Sequence, residues 1–275
     1  MKNLKSRGSN LFIDVNDIKV CYDDCGKGEI PIIFIHGFPF DKLMWQPQLD
    51  LFGKNYRVIA YDIRGFGKST IGSAQGSINL FADDLVKFMD GLEIKKAIVC
   101  GLSMGGYILL NAIIRYPQRF DAIILSDTQC IADSFGAKEK RKKAISQIVA
   151  GKINDFALGF IANIFSDETK KTKGDVVEKI KRTILSTRAE AVTATLSVLA
   201  ERQDLCSSIS QIEVPTLIIC GEQDIVTPVE QAEFLHDTIP NSQLKIIENA
   251  GHMSNLEKPD EFNMHIVEFL SGIAK

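Results

Sequence analysis

The chain has 275 residues, 45% hydrophobic and 24% charged, with a formal net charge of −3. That length can bury a sizeable core as one large domain, or as one domain carrying an insert. A balanced, slightly acidic chain offers no basic field, which argues against a nucleic-acid partner. No apolar stretch follows Lys2, Lys5 and Arg7, and the apolar runs elsewhere fall far short of the ~20 residues of a membrane span. The expectation is a cytoplasmic protein with no membrane partner; a homo-oligomer is left open.

Residues 11–15 and 18–22 read as two short strands around an Asn16-Asp17 turn, a hairpin. Ile32 to Ile35 is an unbroken apolar run, the pattern of a strand buried on both faces. Similar runs follow at 58–60, 97–100, 122–125, 216–220 and 244–247. Helical patterns lie between them. Residues 79–90 carry Leu80, Phe81, Leu85, Phe88 and Met89, and residues 104–116 carry Met104, Tyr107, Ile108, Leu110 and Ile114. For residues 228–238, Thr227 reads as the N-cap, Pro228 as the first helical residue and Glu230 as completing a capping box. The last helix starts near Pro259 and sets Phe262, Ile266, Phe269 and Leu270 on one face. This alternation predicts an α/β fold, with a mostly parallel sheet covered on both faces.

Between roughly 130 and 211 no strand pattern appears. About four amphipathic helical patterns do, the clearest being Ile153-Phe156-Phe160-Ile164 and Val176-Ile180-Ile184. A structureless loop of that length is not credible in a compact domain, so a helical cap over the sheet is expected. The predicted division is a core of residues 1–129 and 212–275 with a cap at 130–211. The Lys138-Glu139-Lys140-Arg141-Lys142-Lys143 run reads as the solvated face of a cap helix. The six cysteines are read as reduced thiols, because Cys100 and Cys220 sit in apolar strand runs of a long chain without a leader. Cys21 and Cys25 have no second Cys or His pair to complete a metal site, so no metal is expected.

Chemistry concentrates at the ends of the strands. Gly101-Leu102-Ser103-Met104-Gly105 joins the strand 97–100 to the helix 104–116. A serine at such a junction sits on a sharp, strained turn, and small residues on both sides are a steric need. The helix N-terminus behind it points unpaired N–H groups toward a developing oxyanion. Ser103 is therefore the candidate nucleophile. His36-Gly37-Phe38-Pro39 follows the strand 32–35, where the other oxyanion donor of such an arrangement lies. The backbone N–H groups of Phe38 and Met104 are the candidate donors; Pro39 has none. His36 is read as holding this loop. The candidate base is His252, beside Gly251 after the strand 244–247, and the candidate acid is Asp224, after 216–220. Asp127, after 122–125, is the alternative acid; Glu222 lies nearer its strand. The order Ser103, Asp224, His252 suits a carboxylate that orients an imidazole against a hydroxyl. Phe38, Phe160, Val226 and Met253 are candidate pocket walls. Gly67-Lys68-Ser69 imitates the end of a phosphate loop, but its first glycine would fall on Asp62. No dinucleotide motif follows a strand, so no cofactor is implied.

With these motifs in this order, together with Asp62-Ile63-Arg64-Gly65-Phe66-Gly67-Lys68-Ser69, the chain resembles the α/β-hydrolase superfamily along nearly its whole length. It looks most like the small bacterial carboxylesterases, 3-oxoadipate enol-lactonases and cofactor-free haloperoxidases. Gly101 to Gly106, Gly221 to Asp224 and Gly251 to Glu257 are similar to the enol-lactonases, whereas His36 to Pro39 is closer to esterases and haloperoxidases. The resemblance implies a serine hydrolase acting on a small carboxylic ester or lactone through an acyl-enzyme. Enol-lactonase or perhydrolase chemistry is the alternative within the superfamily. A ligand-sensing receptor that keeps the triad is the alternative of another class.

Overall fold

A computed structural model describes residues 7–273, so Lys2 and Lys5 lie outside the described residues. Eight strands build one sheet: β1 Gly8–Val15, β2 Ile18–Cys25, β3 Ile32–Ile35, β4 Val58–Tyr61, β5 Ala97–Leu102, β6 Phe120–Ser126, β7 Thr216–Gly221 and β8 Ser242–Ile247. Their order is β1-β2-β4-β3-β5-β6-β7-β8. The first two form the predicted hairpin, with Val15 opposite Ile18. Asn16 turns the corner at φ 51°, a left-handed conformation that asparagine tolerates. β2 runs antiparallel to β4, and every neighbouring pair from β4 to β8 is parallel. β3, β4 and β5 are buried at every residue. Burial on both faces is why their sequences run apolar without alternation. β8, at the edge, is partly exposed along most of its length.

Helices α1 Gln46–Phe52, α2 Ile78–Gly91 and α3 Met104–Arg115 link the strands up to β6. Five helices then separate β6 from β7: α4 Phe135–Val149, α5 Ile153–Ile164, α6 Asp167–Thr172, α7 Gly174–Ser186 and α8 Ala189–Ala200. The chain closes with α9 Val229–Thr238, α10 Ser254–Glu257 and α11 Pro259–Ile273. α11 buries Phe262, Ile266, Phe269 and Leu270, the face its periodicity predicts. In the α4–α8 insert, Phe156 and Ile164 of α5 and Ile180 and Ile184 of α7 are buried. Residues 138–143 lie on α4, whose one buried residue is Ile148.

Two expectations are corrected. Thr227 does not cap α9: Pro228 takes the N-cap position without a side-chain bond, because the Thr227 hydroxyl is engaged by Asp224 instead. The cysteines are not all reduced. Cys130 and Cys206 form a disulfide with Cα atoms 5.0 Å apart, across a sequence separation of 76. The chain leaves β6 and returns toward β7 through one narrow neck, so two cysteines that sequence spacing sets far apart meet there. Cys21, Cys100 and Cys220 are buried free thiols, and Cys25 is a half-buried one. Around the disulfide, Leu205 N–H donates to the Cys130 carbonyl and Asp133 accepts from both Arg141 and Arg202.

Candidate active site

In this sheet β3 has β4 on one side and β5 on the other, so the strand order reverses between β3 and β5. The crevice beyond the carboxyl ends of strands at such a point is where open α/β sheets bind ligands. Ile35 pairs with Gly101, which sets the loop after β3 directly beside the turn after β5.

That turn carries Ser103 at φ 55° and ψ −114°. A serine in this region stores roughly 1–3 kcal/mol of backbone strain and persists only where its surroundings enforce it. Here they do: Ser103 N–H donates to the Ser126 carbonyl at 3.0 Å, and Thr128 Oγ1 donates to the Ser103 carbonyl at 2.8 Å. A side chain at Gly101 would collide with the Gly105 carbonyl, and one at Gly105 with the Ile35 carbonyl, so the turn closes only with glycine at both. Met104 opens α3, so its N–H has no acceptor within the helix. Among the described residues no hydrogen bond takes the Phe38 N–H either.

His36 holds the neighbouring loop. Its Nδ1 lies 2.8 Å from the Gly37 carbonyl, and its Nε2 accepts from Ile63 N–H at 2.9 Å. That pattern needs a neutral ring protonated at Nδ1. Burial drives its pKa down to about 4. The phosphate-loop imitation resolves in the same region. Asp62 takes the position of the missing glycine and accepts from Lys68 N–H at 2.9 Å, while Ser69 Oγ donates to the Asp62 carbonyl at 2.7 Å.

His252 Nδ1 lies 2.7 Å from Asp224 Oδ2, with both side chains buried. Asp224 is a well-supplied acceptor. Its Oδ1 takes the N–H groups of Val226 at 2.7 Å and Thr227 at 3.0 Å, and its Oδ2 takes the Thr227 hydroxyl at 2.7 Å. Burial alone would raise the Asp224 pKa, but His252 and these donors outweigh it and hold the carboxyl below its ordinary range. Burial would likewise keep His252 neutral, yet Asp224, Asp127 and Glu257 together raise its pKa above the ordinary value. The described bonds of His252 all lie on Nδ1, which leaves Nε2 without a described protein partner.

Asp127, the alternative acid, is fully buried and is used otherwise. Its Oδ1 accepts from Gly221 N–H at 2.9 Å, and its Oδ2 takes the hydroxyls of Ser126 and Ser254. Burial first, and the nearby Asp224 charge second, push its pKa up to about 7. Asp127, Cys220 and Asp224 gather closely enough to suggest a cation site, but the carboxylate oxygens are already committed to these donors.

Of the predicted pocket walls, Phe38 and Phe160 come together, with ring centroids 6.0 Å apart edge to face. Phe156 joins them, 6.5 Å from Phe38 and 5.6 Å from Phe160, so α5 of the insert covers the loop after β3. Val226 is 40% exposed on the Asp224 turn, and Met253 is completely buried; neither belongs to the aromatic group. Sequence reading missed Thr227 as part of the site. The three-residue spacing from Asp224 to a hydroxyl residue was the available signal, and the helix that follows absorbed it as a cap.

A model of the alpha/beta hydrolase fold matches residues 30–259. The chain belongs to the α/β-hydrolase family. This hydrolase is 30% identical over 257 residues to 3-oxoadipate enol-lactonase 2 of Acinetobacter baylyi, covering 93% of this chain and 94% of that one. Among solved structures it is similar to a thermophilic esterase from Thermogutta terrifontis, with a TM-score of 0.91 and 32% identity over 96% of this chain and 99% of that one. It is also similar to a bromoperoxidase from Bacillus anthracis, with a TM-score of 0.86 and 25% identity over 96% of this chain and all of that one. Among the described residues no helix is long and apolar enough to cross a membrane.

Proposed function

We propose that this hydrolase cleaves a small carboxylic ester or lactone through an acyl-enzyme formed on Ser103. The observation that carries the reading is the 2.7 Å bond between His252 and Asp224, together with a serine on a strained turn at the carboxyl end of the sheet, where its strand order reverses. His252 Nε2 takes the Ser103 proton as Oγ attacks the carbonyl carbon. Asp224 keeps the Nδ1–H tautomer in place and stabilises the imidazolium. The N–H groups of Phe38 and Met104 receive the oxyanion. His252 then protonates the leaving alkoxide, and water, deprotonated by His252, releases the acid. A lactone follows the same course, its alcohol staying tethered to the acyl group. The α4–α8 insert acts as the cap, with Phe38 and Phe160 giving the acyl chain an apolar wall.

A fluorophosphonate probe should label Ser103, and Ser103→Ala should lose at least ~10³-fold of p-nitrophenyl ester hydrolysis with folding intact. Full activity in that variant would end the reading. Asp224→Asn should lose ~10²–10⁴-fold, since the imidazole tautomer is no longer fixed. Asp127→Asn should keep most of the rate; the reverse ranking would make Asp127 the acid.

A further inference from the structure

Glu257 is fully buried, and no cation neutralises its carboxylate among the described ion pairs. Its partners are backbone N–H groups. Oε1 accepts from Gly251 at 2.9 Å and from Met253 at 3.3 Å, the residues on either side of His252. Oε2 accepts from Ser166 at 2.9 Å, between α5 and α6 of the insert. One carboxylate therefore bridges the histidine loop and the insert. The same seam is closed twice more. Lys173 Nζ donates to the Glu257 carbonyl at 2.7 Å, and a side chain at Gly251 would press on Ser166 N at 2.8 Å and Phe165 C at 3.0 Å.

We propose that Glu257 is a positioning residue that holds the backbone on both sides of His252 against the insert. Burying a carboxyl group is costly unless it is hydrogen-bonded, and three backbone N–H donors supply that compensation. The titratable groups that bear on His252 are Asp224 from the β7–α9 turn, Asp127 just after β6, and Glu257 from α10. Asp224 contacts the ring; Glu257 acts through the backbone on both sides of it and through its field.

The inference rests on His252 being the general base proposed above. Its test separates charge from reach. Glu257→Gln keeps the length, removes the charge and sets an amide against at least one of the three N–H groups. The acid limb of kcat/KM for p-nitrophenyl ester hydrolysis, which reports the base of the free enzyme, should move to lower pH. Glu257→Asp keeps the charge but is too short to span loop and insert. It should leave that limb in place while kcat falls about ten-fold from misplacement of the ring. Should Gln fail to fold, the Asp variant still decides: an unchanged kcat overturns the bridge. Loss of rate in both variants with the limb unmoved would make Glu257 merely structural and overturn the proposal. If Ser103→Ala is inactive while Glu257→Gln matches wild type in kcat and limb, this inference fails alone. If Ser103→Ala stays active, the reading beneath it fails first.

Discussion

Thr227 shows how a hydroxyl that suits one role along the chain takes another in the fold. Read along the chain, it precedes Pro228 and suits an N-cap. In the fold its Oγ1 donates to Asp224 Oδ2 at 2.7 Å and lies 3.3 Å from His252 Nδ1. It thus stabilises the ionised acid and fixes the oxygen that the imidazole uses. A hydrogen bond to a charged acceptor contributes about 1.5–3 kcal/mol. Part of that acts equally in the resting enzyme, so the rate should feel only a fraction. Thr227→Val, which keeps shape and loses the hydroxyl, should lower kcat/KM about ten-fold. Thr227→Ser should stay near wild type. Equal losses in the two variants would trace the effect to packing and not to the hydroxyl.

At the scale of elements, the exits of β3 and β6 carry two buried titratable groups with opposite effects on stability. His36 resists protonation until about pH 4, whereas the unfolded chain protonates near its ordinary 6.5. The unfolded state binds the extra proton between those values, so His36 makes stability rise with pH there, by about 3 kcal/mol at most. Asp127 keeps its proton up to about 7 against an ordinary 3.8, so its contribution is present at low pH and fades as pH rises through 7. The wild-type profile should therefore be flatter between pH 4 and 7 than either residue alone would make it. Urea midpoints across that range should fall with rising pH in His36→Gln, relative to wild type, and climb with it in Asp127→Asn. Parallel profiles in all three proteins would show that neither shift matters. The strands themselves were legible because burial on both faces writes an unbroken apolar run. The strained turn at Ser103 was legible because its close approaches demand glycines. The pairing of Asp224 with Thr227 was not read, because the hydroxyl also suited a helix cap; that of Glu257 with Ser166 was not legible, because a side chain meets backbone 91 residues away.

For the molecule as a whole, the neck of the insert is one of the places where the covering helices are tied to the sheet. Cys130–Cys206 closes it. Arg202 crosses it, donating to Asp133 and to the Ile131 carbonyl, and stacks 4.4 Å over the Tyr107 ring on the helix that Ser103 introduces. A cross-link spanning 76 residues removes denatured-state entropy amounting to about 4 kcal/mol. In a protein of this size, losing it should lower Tm by roughly 5–10 °C. Thiol titration of the denatured, unreduced protein should find the four free cysteines and, after reduction, all six. Activity at 25 °C should survive reduction, because Arg202 and Asp133 still join the two ends. In the Cys206→Ser background, Arg202→Met should then lower kcat/KM by more than the two single losses combined, as expected for neighbours that share one task. A reduced protein with unchanged Tm, or strict additivity of the two substitutions, would mean that the insert is held by its helix packing and not by its neck.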